Sequence, residues 1–161
     1  GAAWAIETGG LDWLLILHAD VRLDENWQDA LALHIKNHPG AAGFFKFAVE
    51  GRGFWRRWLS FWTNVRVSLF NLPYGDQGLL ISRKLYAEIG GYPDWVLFED
   101  VAIVKAIKKT AKLRAMDAKI YANPARYQKG GFIRRPLANL WLLIRFLWGA
   151  DPAKLAKVYS K

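Results

Sequence analysis

An α/β fold built around one sheet is predicted by three features of the sequence. Strand-like and helix-like segments alternate along it, the strand-like ones are short apolar runs, and 53% apolar composition over 161 residues suffices for one core. Trp13 to Leu17 is a nearly continuous apolar run of the kind found in a buried parallel strand, and it ends at His18-Ala19-Asp20. Asp24 reads as the cap of a helix from Glu25 to about His38, in which Trp27, Ala30, Leu31 and His34 recur at helical spacing before Pro39-Gly40 stops the run. Ala41 to Val49 reads as a strand. From Gly53 to Phe70 the spacing predicts an amphipathic helix, with Trp55, Trp58, Leu59, Trp62 and Val65 on one side and Arg56, Arg57 and Arg66 elsewhere. Gln77 to Ile81 returns as a strand. A short helix from Arg83 to Ile89 ends at Gly90-Gly91, and another runs from Glu99 to about Thr110. Two short strands, Leu113 to Met116 and Lys119 to Ala122, precede a final pair of helices.

Composition narrows the classes of function. No segment repeats at a fixed period and none is low in complexity, which argues against a solenoid and against a long disordered tail. Cysteine is absent, so disulfides and thiolate chemistry are excluded, and a reducing, cytoplasmic setting is expected. Charge is divided unevenly. Residues 1–100 carry 9 basic and 12 acidic side chains, a net −3, whereas residues 101–161 carry 14 basic and 2 acidic ones, a net +12. The C-terminal part is therefore expected to face an anion: a phosphate-bearing donor, acidic lipid headgroups or nucleic acid. Nucleic acid fits least, because the aromatic residues are interleaved with long aliphatic runs rather than displayed on a basic sheet.

Nine Trp residues, several beside Arg as in Phe54-Trp55-Arg56-Arg57-Trp58 and between Trp141 and Trp148, make the mixture expected at a membrane interface. The longest apolar stretch, Leu137 to Ala150, is too short to span and contains Arg145, which predicts a peripheral or core helix. The N-terminal residues show neither the charged start nor the cleavage site of a signal peptide.

Ligands of open α/β sheets bind beyond the carboxyl ends of the strands, which gives priority to polar groups just after apolar runs. Asp20 is one such group, a hard oxygen ligand suited to Mg²⁺ or Mn²⁺ on a diphosphate, and it is equally a residue type common in turns and caps. His18 beside it is a weaker candidate ligand, since a lone histidine at a strand end also reads as a satisfied polar core residue. Glu99 and Asp100 open a helix, where the helix dipole alone accounts for two acids, and where a carboxylate is also placed to take a proton from an acceptor hydroxyl. Leu72-Pro73-Tyr74-Gly75-Asp76-Gln77-Gly78 is a turn whose glycines permit close approach of a ligand, with Asp76 and Gln77 able to bond hydroxyls, and it also serves as a plain connection. The basic stretch from Arg126 to Gly131, with Arg134 and Arg135, can clamp a diphosphate, lie on anionic lipid or simply be solvated.

Taken in order, Leu17-His18-Ala19-Asp20-Val21-Arg22-Leu23, Leu72-Pro73-Tyr74-Gly75-Asp76-Gln77, Gly90-Gly91-Tyr92-Pro93 and Phe98-Glu99-Asp100-Val101 make the chain resemble family 2 glycosyltransferases, in particular the bacterial arsenosugar-biosynthesis-type subgroup. The resemblance implies a partial GT-A (Rossmann-like) mixed sheet flanked by helices, in residues 1–125, followed by basic, aromatic, membrane-associated helices in residues 126–161. It places Asp20 at the last Asp of the family's metal-binding DxD motif, with His18 replacing the first acid, Asp100 at the catalytic base, and Gly75, Asp76 and Gln77 along the sugar or acceptor pocket. It also implies that the βα units holding the nucleotide base lie outside this sequence, so that the chain is expected to be an N-terminally truncated form. The implied activity is a Mg²⁺- or Mn²⁺-dependent, inverting transfer from a nucleotide-sugar donor to a hydroxyl acceptor, lipid-linked acceptors included, on the inner face of the cell membrane. The rival expectation is a non-catalytic membrane-surface or interaction module, a remnant of such an enzyme.

Overall fold

The structure, a computed structural model, describes residues 10, 12–51, 53–70, 72–73, 75–95, 97–123 and 134–159. Within these, the elements are β1 (Trp13–Ile16), β2 (Val21–Leu23), α1 (Trp27–Asn37), β3 (Ala41–Val49), α2 (Phe54–Phe70), a 3₁₀ turn (Gly75–Gln77), β4 (Leu79–Ser82), α3 (Arg83–Glu88), α4 (Glu99–Thr110), β5 (Lys112–Ala122), α5 (Arg134–Leu147) and α6 (Pro152–Tyr159). The five strands form one mixed sheet in the order β1-β4-β3-β5-β2. Only β3 and β5 run parallel; the other neighbours are antiparallel.

Alternation along the strands sends side chains to two cores. Ala42 and Phe44 of β3 with Leu79 and Ile81 of β4 meet Val67 of α2, Leu85 of α3 and Ile103, Val104 and Ile107 of α4. Phe45 and Leu80 point the other way, onto Ala30 of α1 and Met116 and Ile120 of β5. This double burial explains why β3 reads as an unbroken apolar run: of its nine residues only Lys46 is exposed. Lys46 reaches across to Asp117, 2.7 Å from nitrogen to oxygen, and holds that carboxyl below the usual range.

Sequence patterns locate most elements and misread four details. The apolar run of β1 is paired antiparallel with β4 at the edge of the sheet, not as a buried parallel strand, because apolarity carries no information on strand direction. The two strands expected around residues 113–122 are one strand, whose register against β3 shifts between Phe44 and Lys46. The expected strand start at Gln77 is a 3₁₀ turn. Asp24 does not cap α1. Its side chain accepts from the backbone N–H of Glu25, and the helix begins after Asn26, whose own side chain reaches the Asp117 carbonyl instead.

Local chemistry explains several boundaries. Ser82 opens α3 by accepting the Leu85 N–H at 3.2 Å. The same helix closes with Gly91 N–H on the Tyr86 carbonyl and Gly90 N–H on that of Ala87, a Schellman pattern that puts Gly90 in the left-handed region at φ +79°. Among the described residues no strand lies beside the C-terminal half of β3 on the β4 side, since β3 and β4 pair at Gly43 and Leu80. α2 fills that place with side chains. Asn64 accepts from the Phe47 N–H at 3.0 Å and donates to its carbonyl at 2.8 Å, and Ser60 accepts from the Val49 N–H at 3.1 Å.

His34, on the apolar side of α1, is 5% exposed and its Nε2 lies 3.1 Å from the Ala41 carbonyl oxygen. Burial pushes its pKa down, the Ala41 carbonyl partly offsets this, and the charges of His38 and Arg114 push it further down. A histidine depressed in the folded state favours the fold while neutral. Its contribution is fully present above the unfolded pKa of about 6.5 and is lost as pH falls from there toward the folded value. The melting temperature is therefore expected to drop between about pH 7.5 and about pH 5.5, and to drop less in His34→Gln, as thermal denaturation at the two pH values would show. An equal drop in both proteins would assign the effect to other groups.

Candidate functional site

Three segments far apart in sequence line one cleft of about 180 Å³. β1 contributes Ile16, Leu17 and His18 as it ends; the connection after α2 contributes Pro73 and Gly75; the N-terminus of α4 contributes Glu99 and Asp100. Tyr92 and the apolar side chains of Ile103 and Val104 complete the wall. The polar groups thus sit at a strand end and a helix start, with the apolar core beneath them.

Asp100 organises this arrangement. Its Oδ2 accepts the Gly75 N–H at 2.7 Å, and its Oδ1 accepts the Val101 N–H at 2.8 Å. One carboxylate thereby ties the 3₁₀ turn to the first turn of α4, while each oxygen retains a lone pair for a further donor. Glu99 and Asp100 together also complement the positive end of the helix dipole.

The residue just before them, Phe98, adopts the left-handed conformation, with φ 64° and ψ 20°, the only non-glycine residue with positive φ among those described. Such a conformation is costly for a bulky side chain and persists where packing over-determines it. Here the Phe98 ring stacks on Phe146 of α5 with centroids 4.9 Å apart, and Trp95 meets the same ring edge-on at 5.9 Å. Helix α5 therefore packs on the loop that aims Glu99 and Asp100.

On the opposite lip, the His18 ring turns Nδ1 onto Asp20 Oδ1. Both side chains are partly exposed, at 45% and 32%, so an imidazole nitrogen and a carboxylate are presented together beside the cleft. Among the described residues no group of three His, Asp or Glu side chains is placed to enclose a metal ion.

Tyr92, from the Gly90-Gly91-Tyr92-Pro93 motif, is a wall residue. Burial raises its phenol well above the ordinary range, and the charges of Asp100, of Tyr86 and of Glu99 add to this, so it stays protonated and able to donate a hydrogen bond. Gly78 closes the floor: at φ +64°, an added Cβ would lie 2.9 Å from Leu17 Cδ2 and 3.3 Å from the Phe45 ring. A larger side chain there would have to displace the end of the Leu17 side chain and would sit in the left-handed region that favours glycine.

Of the sequence-derived candidates, His18, Gly75, Glu99 and Asp100 line the cleft, and Asp20 contacts His18. Asp76 and Gln77 lie in the same turn but are not among the lining residues. Gln77 is fully buried, donates from Nε2 to the Phe45 carbonyl at 3.1 Å, and finds no donor for Oε1 among the described residues. Arg126 lies outside the described residues; Arg134 and Arg135 begin α5, and their side chains lie outside the described part. No described helix is long and apolar enough to cross a membrane. In comparisons with known proteins, the chain matches no protein-family model and no curated protein.

Proposed function

We propose that this cleft carries out inverting transfer of a sugar from a nucleotide-diphosphate donor to a hydroxyl acceptor. The observation that supports the reading is the convergence of His18, Gly75, Glu99 and Asp100 on one cleft, with Asp20 in contact with His18. In this reading the acceptor O–H gives its proton to Asp100 as its oxygen attacks the anomeric carbon. The new C–O bond forms on one face while the bond to the diphosphate oxygen breaks on the other, the electron pair leaving with the nucleoside diphosphate, so configuration inverts. The cleft, at about 180 Å³, is smaller than the ~300–1,000 Å³ of typical ligand sites, and so takes the reacting end of the substrates rather than the nucleotide.

His18 and Asp20 fit a cation that keeps several waters and completes its shell with substrate phosphates. Imidazole with carboxylate suits Mn²⁺ better than Mg²⁺, which prefers oxygen alone. When bound, such an ion supplies neutralisation of the diphosphate charge. Arg126, Arg134 and Arg135 are the basic residues assigned to the leaving group.

Calorimetric titration with UDP- and GDP-sugars, with and without Mn²⁺, tests the donor site. Metal-dependent binding is expected, with at least an about tenfold weaker affinity in Asp20→Asn. Absence of binding to the folded chain, or binding indifferent to both Mn²⁺ and Asp20, would overturn the assignment.

A further inference from the structure

α2 divides its apolar side chains between two faces. The face that meets the sheet carries Ser60 and Asn64, whose side chains serve the backbone of Phe47 and Val49, with Leu59 and Val67 as its buried apolar residues. The face turned away from the protein carries Phe54, Trp55, Phe61 and Trp62, at the i, i+1, i+7 and i+8 spacing of a single helical stripe, while Trp58 between them is partly buried against the cluster of Phe47, Val49, Leu59 and Ala122. Phe54, Trp55, Phe61 and Trp62 are 72%, 50%, 61% and 50% exposed. The rings run edge-to-face along the helix, Phe54 to Trp55 at 5.5 Å, Trp55 to Trp58 at 6.1 Å, Trp58 to Trp62 at 6.1 Å and Phe61 to Trp62 at 5.9 Å. The result is a continuous aromatic ladder facing outward. A contiguous apolar patch of this kind marks an interaction surface, because water gains nothing by covering it.

Charge and ring chemistry select the occupant. Between Gly51 and Gly75 there are four arginines, Arg52, Arg56, Arg57 and Arg66, and no acidic residue. Arg57, within the ladder's length, is exposed. Indole and guanidinium side by side on a helix that cannot span are the composition that lies in the headgroup layer, the rings at the boundary with the acyl chains and the cations on lipid phosphate. A protein partner of ordinary interface composition would not require a segment free of acids.

We infer that the outward face of α2 docks on an anionic bilayer surface, Phe54, Trp55, Phe61 and Trp62 entering the headgroup layer and Arg57 facing lipid phosphate. The docking is independent of the transfer chemistry and stands whether or not the cleft moves a sugar. Because α2 runs directly into the connection that supplies Pro73 and Gly75, it tethers the mouth of the cleft to the membrane plane.

The test is flotation of the full chain with vesicles of phosphatidylcholine, with and without phosphatidylglycerol. Binding to the vesicles containing phosphatidylglycerol is expected, with tryptophan quenching by brominated acyl chains. The triple variant Trp55→Ser, Phe61→Ser, Trp62→Ser is expected to keep its far-ultraviolet circular dichroism and to bind those vesicles at least about tenfold more weakly. Arg57→Glu, which leaves every ring in place, is expected to weaken binding to the anionic vesicles alone. No vesicle binding by the parent chain, or undiminished binding by the folded triple variant, overturns the inference. So does a parent chain that forms a dimer dissolved by the triple variant while ignoring lipid, since a second copy would then be the occupant.

Discussion

Asp100→Asn is expected to lower sugar transfer by about 10²- to 10⁴-fold, the usual contribution of a positioned base, while leaving the affinity for the donor nearly unchanged. The substitution removes the proton acceptor and little volume. It does disturb the turn, because an amide has one acceptor oxygen where the carboxylate has two, and both Gly75 N–H and Val101 N–H now use Asp100. One of those donors loses its partner, at a cost of about 1–2 kcal/mol in stability. Steady-state kinetics with calorimetric donor titration separates the two effects: a base defect lowers kcat and spares donor affinity, whereas a collapsed turn lowers both together. Equal loss of turnover and binding would make Asp100 a structural clamp and end its assignment as base. Glu99→Gln provides the control, since Glu99 shares the cleft and the helix start; a larger loss there than at Asp100 would move the role to Glu99.

Much of the fold is legible in the sequence because burial and periodicity are local properties. β3, with both faces buried, and α4, with acids at its start and lysines at its end, fall where apolar runs and helical spacing put them. Strand direction is not local. Nothing in Trp13-Leu14-Leu15-Ile16 distinguishes a central parallel strand from an antiparallel edge, and the pairing with β4 depends on a segment more than sixty residues away. The break expected at Asp117 reflects a real polar interruption, yet the backbone continues through it because the side chain turns outward to Lys46 and the Asp117 carbonyl receives Asn26. The helix of residues 54–70 is readable, but spacing alone makes its tryptophans the natural inward side. Only the vacancy beside the C-terminal half of β3, which Ser60 and Asn64 fill, explains why the aromatic side faces out.

The site follows the same division. Asp20, with His18 as the weaker candidate beside it, and Asp100 are singled out by their places at a strand end and a helix start, which are features of the chain; it is His18 and Asp100 that line the cleft. That they share a cleft is a property of the sheet order, in which β1 and β4 lie side by side and bring residues 18 and 75 together. Gln77 shows the opposite failure. A polar residue in a glycine-flanked turn reads as a ligand contact, whereas its amide is spent on the Phe45 carbonyl inside the protein. Tyr92 and the left-handed Phe98 carry no such mark in the sequence; their roles depend on Glu99 and Asp100 nearby and on the Phe146 ring.

Phe45→Ala is expected to reduce stability by about 3–5 kcal/mol, read as a lower denaturant midpoint in urea with an unchanged slope. Phe45 is fully buried between α1 and the sheet, against Ala30, Leu80, Met116 and Ile120, and its carbonyl also anchors Gln77. Neighbours on two sides belong to the sheet and cannot collapse into the vacated space, so the cavity remains. Since small domains hold only about 5–15 kcal/mol in reserve, this one change removes a large fraction of it. Trp62→Ala deletes an even larger ring and is expected to cost clearly less, because that ring is half exposed and its aromatic partners are Trp58 and Phe61. The comparison matters for more than stability. If Trp62→Ala cost as much as Phe45→Ala, the ladder on α2 would be part of the folded core. A small cost would mean that the exposed ring of Trp62 contributes little to folding, which leaves binding as the reason for it to stand outside, whereas Trp58 also packs on the core.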